Sequence, residues 1–233
     1  MPRNAGSGRS FLHALARIVT ILLIVVVGGL LLLGLSDPVS LDALLGGSGN
    51  RPRVGLIAGH WQHDSGAVCD DGLQEVDINL AVARKAAYIL RQHNYRVQVL
   101  PEYAPELNGY RADAVLAIHS DSCVEDLSGF KVARMTHSAI PEEEDRLVQA
   151  LSQAYAEATG LSFHVNTITE DMRQYHALRQ IAPETPGAII ECGFMGGDRY
   201  LLTQEQDRVA VGIANGLIAF VEQRRSATPM PTR

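Results

Sequence analysis

The sequence predicts a single α/β domain whose central, mainly parallel sheet is flanked by helices on both faces. Apolar runs at residues 54–60, 95–100, 114–119 and 187–191 have the length and composition of buried strands. Longer segments between and after them repeat apolar residues at steps of three and four, as amphipathic helices do. Strands that alternate with helices form βαβ units, which favour a parallel sheet.

The residues before this domain have the pattern of a membrane anchor. Residues 18–35 carry no charge and are almost wholly aliphatic, and Arg3, Arg9 and Arg17 precede them without any acid. This pattern predicts a basic cytoplasmic flank at 1–17, a transmembrane anchor at 18–35 and a Gly- and Pro-containing linker at 36–53. The domain is then expected on the outer side of the cytoplasmic membrane. A signal peptide cleaved before Asp37, which would give a secreted protein, is the alternative.

Net charge limits the possible partners of the domain, and the cysteine count limits its possible disulfides. Residues 37–233 have a net charge near −9, because only three of the 20 basic residues and none of the 26 acidic ones precede them. This acidic balance disfavours nucleic acid as a partner. After export, the three cysteines permit one disulfide and leave one thiol, and the count alone does not choose the pair.

The first half of the domain begins with a strand at residues 54–60, followed by a loop of small and polar residues. A helix then starts at Glu75, and Asn94 can end it. The predicted apolar stripe of this helix comprises Val76, Leu80, Ala83, Ala87 and Leu90. Strands follow at residues 95–100 and 114–119.

The second half contains a fourth strand at residues 129–135 and a helix that opens at Pro141, with three glutamates in its first turn. A further helix is expected within residues 170–181, before the last strand at 187–191. Thr203 and Gln206 form the pattern of a capping box for a final helix. The domain is thus assigned to residues 54–223, and residues 224–233 are predicted to be a disordered tail.

Three of the strands end on residues that carry chemistry. His60 and His119 close two of them, and the last strand ends on Glu191. An ionised carboxylate at the end of a buried strand is costly unless a cation or hydrogen-bond donors meet it. Because ligand sites lie beyond the carboxyl ends of parallel strands, these groups are expected to converge, together with Glu75 on the first helix.

Two imidazoles and one carboxylate are a recurring ligand set for catalytic zinc. His60, Glu75 and His119 supply that set, and Glu191 is a candidate for the carboxylate that moves a proton from water to the leaving group. The spacing matches no compact zinc motif, so this prediction depends on convergence at one edge of the sheet. The alternative readings are a hydrogen-bonded structural role for His60 and a helix-dipole role for Glu75.

Several short motifs occur in a characteristic order along the chain. They are Gly59-His60, Gly66-Ala67, the run QEVDINLAVA around Glu75, Ile118-His119 and the sequence Glu-Cys-Gly-Phe at 191–194. In this combination, over about residues 54–220, the sequence resembles the zinc-dependent N-acetylmuramoyl-L-alanine amidases of the type-3 fold.

The resemblance carries expectations about activity and site. It implies cleavage of the amide between the lactyl group of N-acetylmuramic acid and L-alanine in peptidoglycan. It also implies zinc on His60, Glu75 and His119, with Glu191 as the catalytic carboxylate. A loosely matching segment makes Arg179 a predicted substrate contact. Whether an activator protein is needed stays open.

The expected convergence of the two histidines also predicts how the cysteines pair. Cys69 and Cys123 lie in the loops after the two histidine strands, which are neighbours if both histidines bind one ion. We therefore predict a disulfide between them, which requires Cα atoms within about 7 Å. Cys192 is predicted to be a buried thiol on the opposite face of its strand.

Two other functions are compatible with parts of this pattern. One is a non-catalytic peptidoglycan-binding or regulatory module of the same fold, and the other is a zinc peptidase that cuts the peptide stem. The complete set including Glu191 argues against the first, and the order of motifs argues against the second.

Overall fold

The computed structural model describes residues 51–227 and Thr20. Residues 51–227 belong to one compact unit. Apart from Thr20, the predicted flank, the anchor, the linker up to residue 50 and the last six residues lie outside the described part of the chain. Within the described residues, no helix is both long enough and apolar enough to cross a membrane.

Five strands form one sheet. They are β1 (Arg53–Ala58), β2 (Arg96–Pro101), β3 (Ala114–Asp121), β4 (Lys131–Ala133) and β5 (Gly187–Phe194). Their order across the sheet is β2-β1-β3-β5-β4. The pairs β1–β2, β1–β3 and β3–β5 are parallel, and β4 is antiparallel to β5. The mainly parallel sheet expected from the sequence is therefore present.

Within residues 51–227, five α-helices accompany the sheet. They are α1 (Glu75–Gln92), α2 (Pro141–Thr159), α3 (Glu170–Arg173), α4 (Arg199–Gln204) and α5 (Gln206–Ala227), and 3₁₀ turns lie at Pro105–Leu107 and Val165–Thr167. Helices α1 and α2 begin at the predicted residues. Acidic residues occupy the first turn of both, where they face the positive end of the helix dipole.

The two faces of the sheet are covered differently. The three long helices α1, α2 and α5 pack in one core with strand residues such as Leu56 and Ile190. The other face, which presents residues such as Ile57 and Ile189, is covered by the short helix α3, one 3₁₀ turn and loops. The expectation of helices on both faces holds only in this reduced form, because residues 102–113 between β2 and β3 are too few for two loops and a long helix.

The inner face of α1 differs from the predicted stripe in its first turns. Ile78, Val82 and Ala86 are buried, whereas Val76 and Leu80 are only partly buried. The helix is turned in this way because Glu75 and Asn79 also point inward, where both are buried. The polar residues of the first turn therefore decide which side of α1 faces the sheet.

The carboxyl-terminal region corrects two further predictions. Thr203 does not cap a helix, because it lies inside α4 and its Oγ1 donates to the carbonyl of Arg199 at 2.8 Å. Helix α5 starts at Gln206 and runs to Ala227, so residues 224–227, predicted as part of the tail, are helical.

Candidate active site

His60 is carried into the site by a turn directly after β1. The strand ends at Ala58, two residues earlier than predicted, and His60 adopts a left-handed backbone with φ of 66°. Such a conformation costs an L-residue about 1–2 kcal/mol. The His60 N–H donates to Oε2 of Glu102 at 2.6 Å, and its Nδ1 lies 2.6 Å from Oδ1 of Asp64. These contacts hold the turn and direct Nε2 toward α1.

Glu75 stands between the two histidines. Its Oε2 lies 3.2 Å from His60 Nε2, and its Oε1 lies 3.0 Å from His119 Nδ1. The backbone N–H of Ala67 and the side-chain amide of Asn79 also donate to this carboxylate. Burial raises the pKa of Glu75, but the hydrogen bonds with the two histidines outweigh it and bring the pKa well below the usual range. Glu75 is therefore ionised at neutral pH.

His119 lies inside β3 and is buried, with an exposed fraction of 6%. Its ring packs on the backbone of Gly59, where an added Cβ would stand 2.3 Å from His119 Cε1. A glycine before His60 is thus required by the position of the second histidine. Burial lowers and the hydrogen bond with Glu75 raises the pKa of His119, with a net increase. On the far side of the ring, Nε2 lies 3.0 Å from the hydroxyl of Tyr175.

The structure brings His60, Glu75 and His119 together as a cluster. One potential ligand atom from each residue lies within 4.8 Å of the other two, and the two imidazole rings meet edge-on with centroids 5.0 Å apart. This is a donor set of two imidazoles and one ionised carboxylate. Its chemistry suits a divalent metal ion, and zinc in particular.

Glu191 lies beside this cluster on β5, directly opposite His119 in the β3–β5 pairing. Both residues lie inside their strands and not at the predicted ends, because β3 continues through a register irregularity to Asp121. The Glu191 side chain is partly exposed, yet its Oε2 is buried and makes no hydrogen bond with any described residue. Burial raises the pKa of Glu191 to about 7, against a lowering effect of His119.

A buried lysine also faces Glu191. Lys131 lies opposite Glu191 in the β4–β5 pairing, is 3% exposed and forms an ion pair with Asp121. Its charge lowers the pKa of Glu191 and so opposes the effect of burial. Lys131 carried no signal in the sequence, because a lysine is rarely buried unless it is paired.

A disulfide joins Cys69 to Cys123, whose Cα atoms are 5.6 Å apart. This distance is within the limit set from the sequence. The bond ties the loop after β1 to the loop after β3, and hence the segments that follow His60 and His119. Cys192 is a free, buried cysteine in the core under the long helices, as expected, and burial raises the pKa of its thiol.

Arg179 is placed apart from the cluster. Its guanidinium donates to Gln174 at 2.8 Å, and the neighbouring Leu178 packs against Gly187 at the start of β5. Four residues of strand, about 13 Å at the usual rise, separate that position from Glu191. The contact of Arg179 with substrate stays a prediction.

Several residues that the sequence analysis did not select complete the site. They are Asp64, Asn79, Glu102, Lys131 and Tyr175. Two carried a recognisable signal: Asn79 follows Glu75 by one helical turn, and Asp64 follows His60 by four residues. The others are brought in by tertiary packing.

The comparison with protein families decides the identity of this site. The family model described as N-acetylmuramoyl-L-alanine amidase matches residues 54–219, which is most of the chain. The chain belongs to this amidase family. It is therefore an enzyme that hydrolyses the amide between N-acetylmuramic acid and L-alanine in peptidoglycan. No curated protein gives a significant match to the chain.

Solved structures of amidases have the same fold. The catalytic domain of CwlV, an N-acetylmuramoyl-L-alanine amidase from Bacillus (Paenibacillus) polymyxa var. colistinus, is 25% identical, with coverage of 73% of this chain and 98% of that one and a TM-score of 0.57. The CwlD amidase from Clostridioides difficile, solved in complex with the GerS lipoprotein, is 17% identical, with coverage of 74% and 100% and a TM-score of 0.58. Ami1 from Mycobacterium smegmatis is 18% identical, with coverage of 74% and 97% and a TM-score of 0.58.

Proposed function

We propose that this amidase acts with a zinc ion held by His60, Glu75 and His119 and uses Glu191 to transfer the proton. The observation that carries the proposal is the convergence of three ligand atoms within 4.8 Å of one another, with Glu191 opposite His119 on the adjacent strand. When bound, zinc supplies Lewis acidity that polarises a carbonyl and lowers the pKa of water.

The donor set fits the ion. Zinc takes imidazole and carboxylate ligands, and catalytic sites keep three protein ligands so that a position remains for water or substrate. The ionised Glu75 supplies the negative charge that favours a dication over water in this buried place. Asn79 and the N–H of Ala67 orient the carboxylate, so the ligand is held before the ion arrives.

Glu191 has the properties of a group that takes up and releases a proton. Its pKa of about 7 is close to neutral pH, and a general acid–base catalyst is most efficient when its pKa is near the working pH. In the proposed reaction, Glu191 accepts a proton from the water whose oxygen bonds to the lactyl carbonyl carbon. It then gives that proton to the alanine nitrogen as the carbon–nitrogen bond breaks. The products are a free lactyl carboxylate and a peptide with a free amino terminus.

The cell-envelope location is a second part of the proposal. The uncharged segment 18–35 and the arginines before it support an anchor in the cytoplasmic membrane with the catalytic domain outside. Full-length protein should sediment with membranes and be accessible to protease added outside the cytoplasmic membrane. Recovery of a shortened, freely soluble protein would favour the cleaved signal.

The experiment that tests the site uses the full-length protein on purified sacculi, with released material identified by mass spectrometry. Chelation should abolish release and added zinc should restore it. Glu191→Gln should bind zinc like the wild type and release nothing, because the three ligands are unchanged and only proton transfer is lost. Glu157→Gln, an exposed glutamate on α2, is the matched control and should be fully active.

Other outcomes separate the alternatives. Full activity of Glu191→Gln, or activity that survives complete metal removal, would overturn the assignment. Release of stem-peptide fragments without free lactyl groups would support the peptidase. Bound zinc with intact sacculi would point to a binding module, or to an enzyme that awaits a partner of the kind with which the CwlD structure was solved.

A further inference from the structure

A second buried carboxylate, Glu102, is connected to both histidines of the cluster. Glu102 directly follows β2, is 5% exposed, and accepts the backbone N–H of His60 at 2.6 Å through Oε2. Its Oε1 accepts the hydroxyl of Tyr175 at 3.0 Å, and that hydroxyl lies 3.0 Å from Nε2 of His119. Glu102 is therefore one hydrogen bond from His60 and two hydrogen bonds from His119.

The number of available protons fixes the direction of these hydrogen bonds. A phenol has one proton, and Tyr175 donates it to Glu102, so the Tyr175 oxygen accepts from Nε2–H of His119. Nδ1, the nitrogen 3.0 Å from Glu75, is then the ring nitrogen of His119 that remains for a metal ion. For His60, Asp64 accepts from Nδ1–H at 2.6 Å, so Nε2, which also faces Glu75, is the nitrogen that remains for a metal ion. The two nitrogens that face Glu75 are therefore the ones available to a metal ion, which would replace any proton held there.

The same carboxylate supports the strained backbone at His60. A left-handed conformation is costly for a residue with a side chain, and it persists only where the surroundings hold it. Among the described residues, the ion-pair contacts of Glu102 are with imidazoles only, at 3.7 Å to His60 and 3.9 Å to His176. A buried carboxylate without a lysine or arginine partner is expensive, so its retention here needs a role at the site.

We propose that Glu102 and Tyr175 are positioning residues: Glu102 holds the backbone turn of His60 directly, and through Tyr175 it fixes the orientation and tautomer of the His119 ring. This inference rests on the proposed metal centre. Hydrogen bonds to the far nitrogen of a ligating histidine set which nitrogen binds the metal, and their loss typically lowers metal affinity about 10- to 100-fold. Tyr175→Phe removes the hydroxyl that, among residues 51–227, accepts from His119 Nε2–H, while it keeps the ring in place.

The test measures zinc affinity of the full-length protein by competition with a colorimetric chelator, with circular dichroism to verify the fold. Tyr175→Phe is expected to lower the affinity about 10- to 100-fold. Tyr88→Phe, a change at a 64% exposed tyrosine of α1, is the control and should bind like the wild type. Glu102→Gln should weaken binding as well, and exposed Glu106→Gln should not. Glu102→Gln decides the matter if Tyr175→Phe does not fold.

The outcomes distinguish the positioning role from the metal centre on which it depends. Wild-type zinc affinity in folded Tyr175→Phe and Glu102→Gln would overturn the positioning role and leave the metal centre intact. Lower stability with unchanged zinc affinity per folded molecule would also overturn it, because that result means a structural role only. A wild-type protein that takes up no zinc would overturn the metal centre itself, and the positioning role with it.

Discussion

A comparison of Gly66→Ala with Gly109→Ala separates a steric effect on the active site from the cost of placing a side chain on a left-handed backbone. Both glycines have a left-handed backbone, with φ of 61° and 69°. An L-residue in that region costs about 1–2 kcal/mol at either position. Only at Gly66 does the added Cβ meet the site, at 2.5 Å from Glu75 Oε2 and 2.6 Å from His60 Cδ2, whereas nothing lies within 4 Å at Gly109.

The magnitude follows from this contact. To restore an ordinary separation of 3.4 Å, the Glu75 oxygen must move by about 0.9 Å. A misplacement of about 1 Å at a reacting centre costs on the order of 100-fold in rate. We therefore expect Gly109→Ala to lose about 1–2 kcal/mol of stability and Gly66→Ala more than that, because site atoms must also shift, and Gly66→Ala alone to lose about 100-fold in turnover.

The assays are urea unfolding, zinc affinity and release of peptide from sacculi, measured on both full-length variants and the wild type. Equal loss of turnover in the two variants would refute the steric argument, because the backbone cost would then explain both. Wild-type turnover in Gly66→Ala would refute the position assigned to Glu75.

Three further predictions concern stability, each checked by urea unfolding. Replacing both Cys69 and Cys123 by Ala should cost about 4 kcal/mol, from the chain entropy of a loop of 54 residues, and a loss below about 1 kcal/mol would contradict this value. Tyr155→Phe should cost about 1–3 kcal/mol, because the buried carbonyl of Cys192 loses its donor at 2.6 Å, and an unchanged midpoint would refute the role. Burial raises the pKa of Glu144, so the folded state loses stability as the pH rises above 4.5, the ordinary pKa of a glutamate. Glu144→Gln should therefore become more stable relative to the wild type as the pH rises through this range. A stability difference that does not change with pH would count against this reasoning.

The convergence of the ligand set could be predicted because it depends on few steps. Apolar strands that precede His60 and His119, with helices between strands, place both histidines at one edge of a parallel sheet. Glu75 follows from the start of the first helix. Small errors, such as strands that run past His119 and Glu191, did not change which residues meet.

The supporting residues could not be predicted, since their positions depend on irregular segments. Tyr175 lies between α3 and β5, where a helix is expected within residues 170–181 but ends at Arg173, and it reaches His119 only because this stretch packs across the second face of the sheet. Glu102 lies in the connection between β2 and β3, which lacks a long helix. The spacing of apolar residues there does not predict where its side chain points. A strand is predicted at residues 129–135, but the burial of Lys131 depends on β4 pairing antiparallel to β5, and the sequence of the strand does not specify that partner.

The measurement that tests the central claim most directly is digestion of sacculi by the full-length, zinc-loaded protein in water enriched with oxygen-18. Hydrolysis of the amide between muramic acid and alanine places one labelled oxygen on the lactyl carboxylate, and frees the amino group of L-alanine. We predict that label, and its absence with Glu191→Gln. Labelled carboxyl groups within the stem peptide, with the lactyl amide intact, would contradict the account.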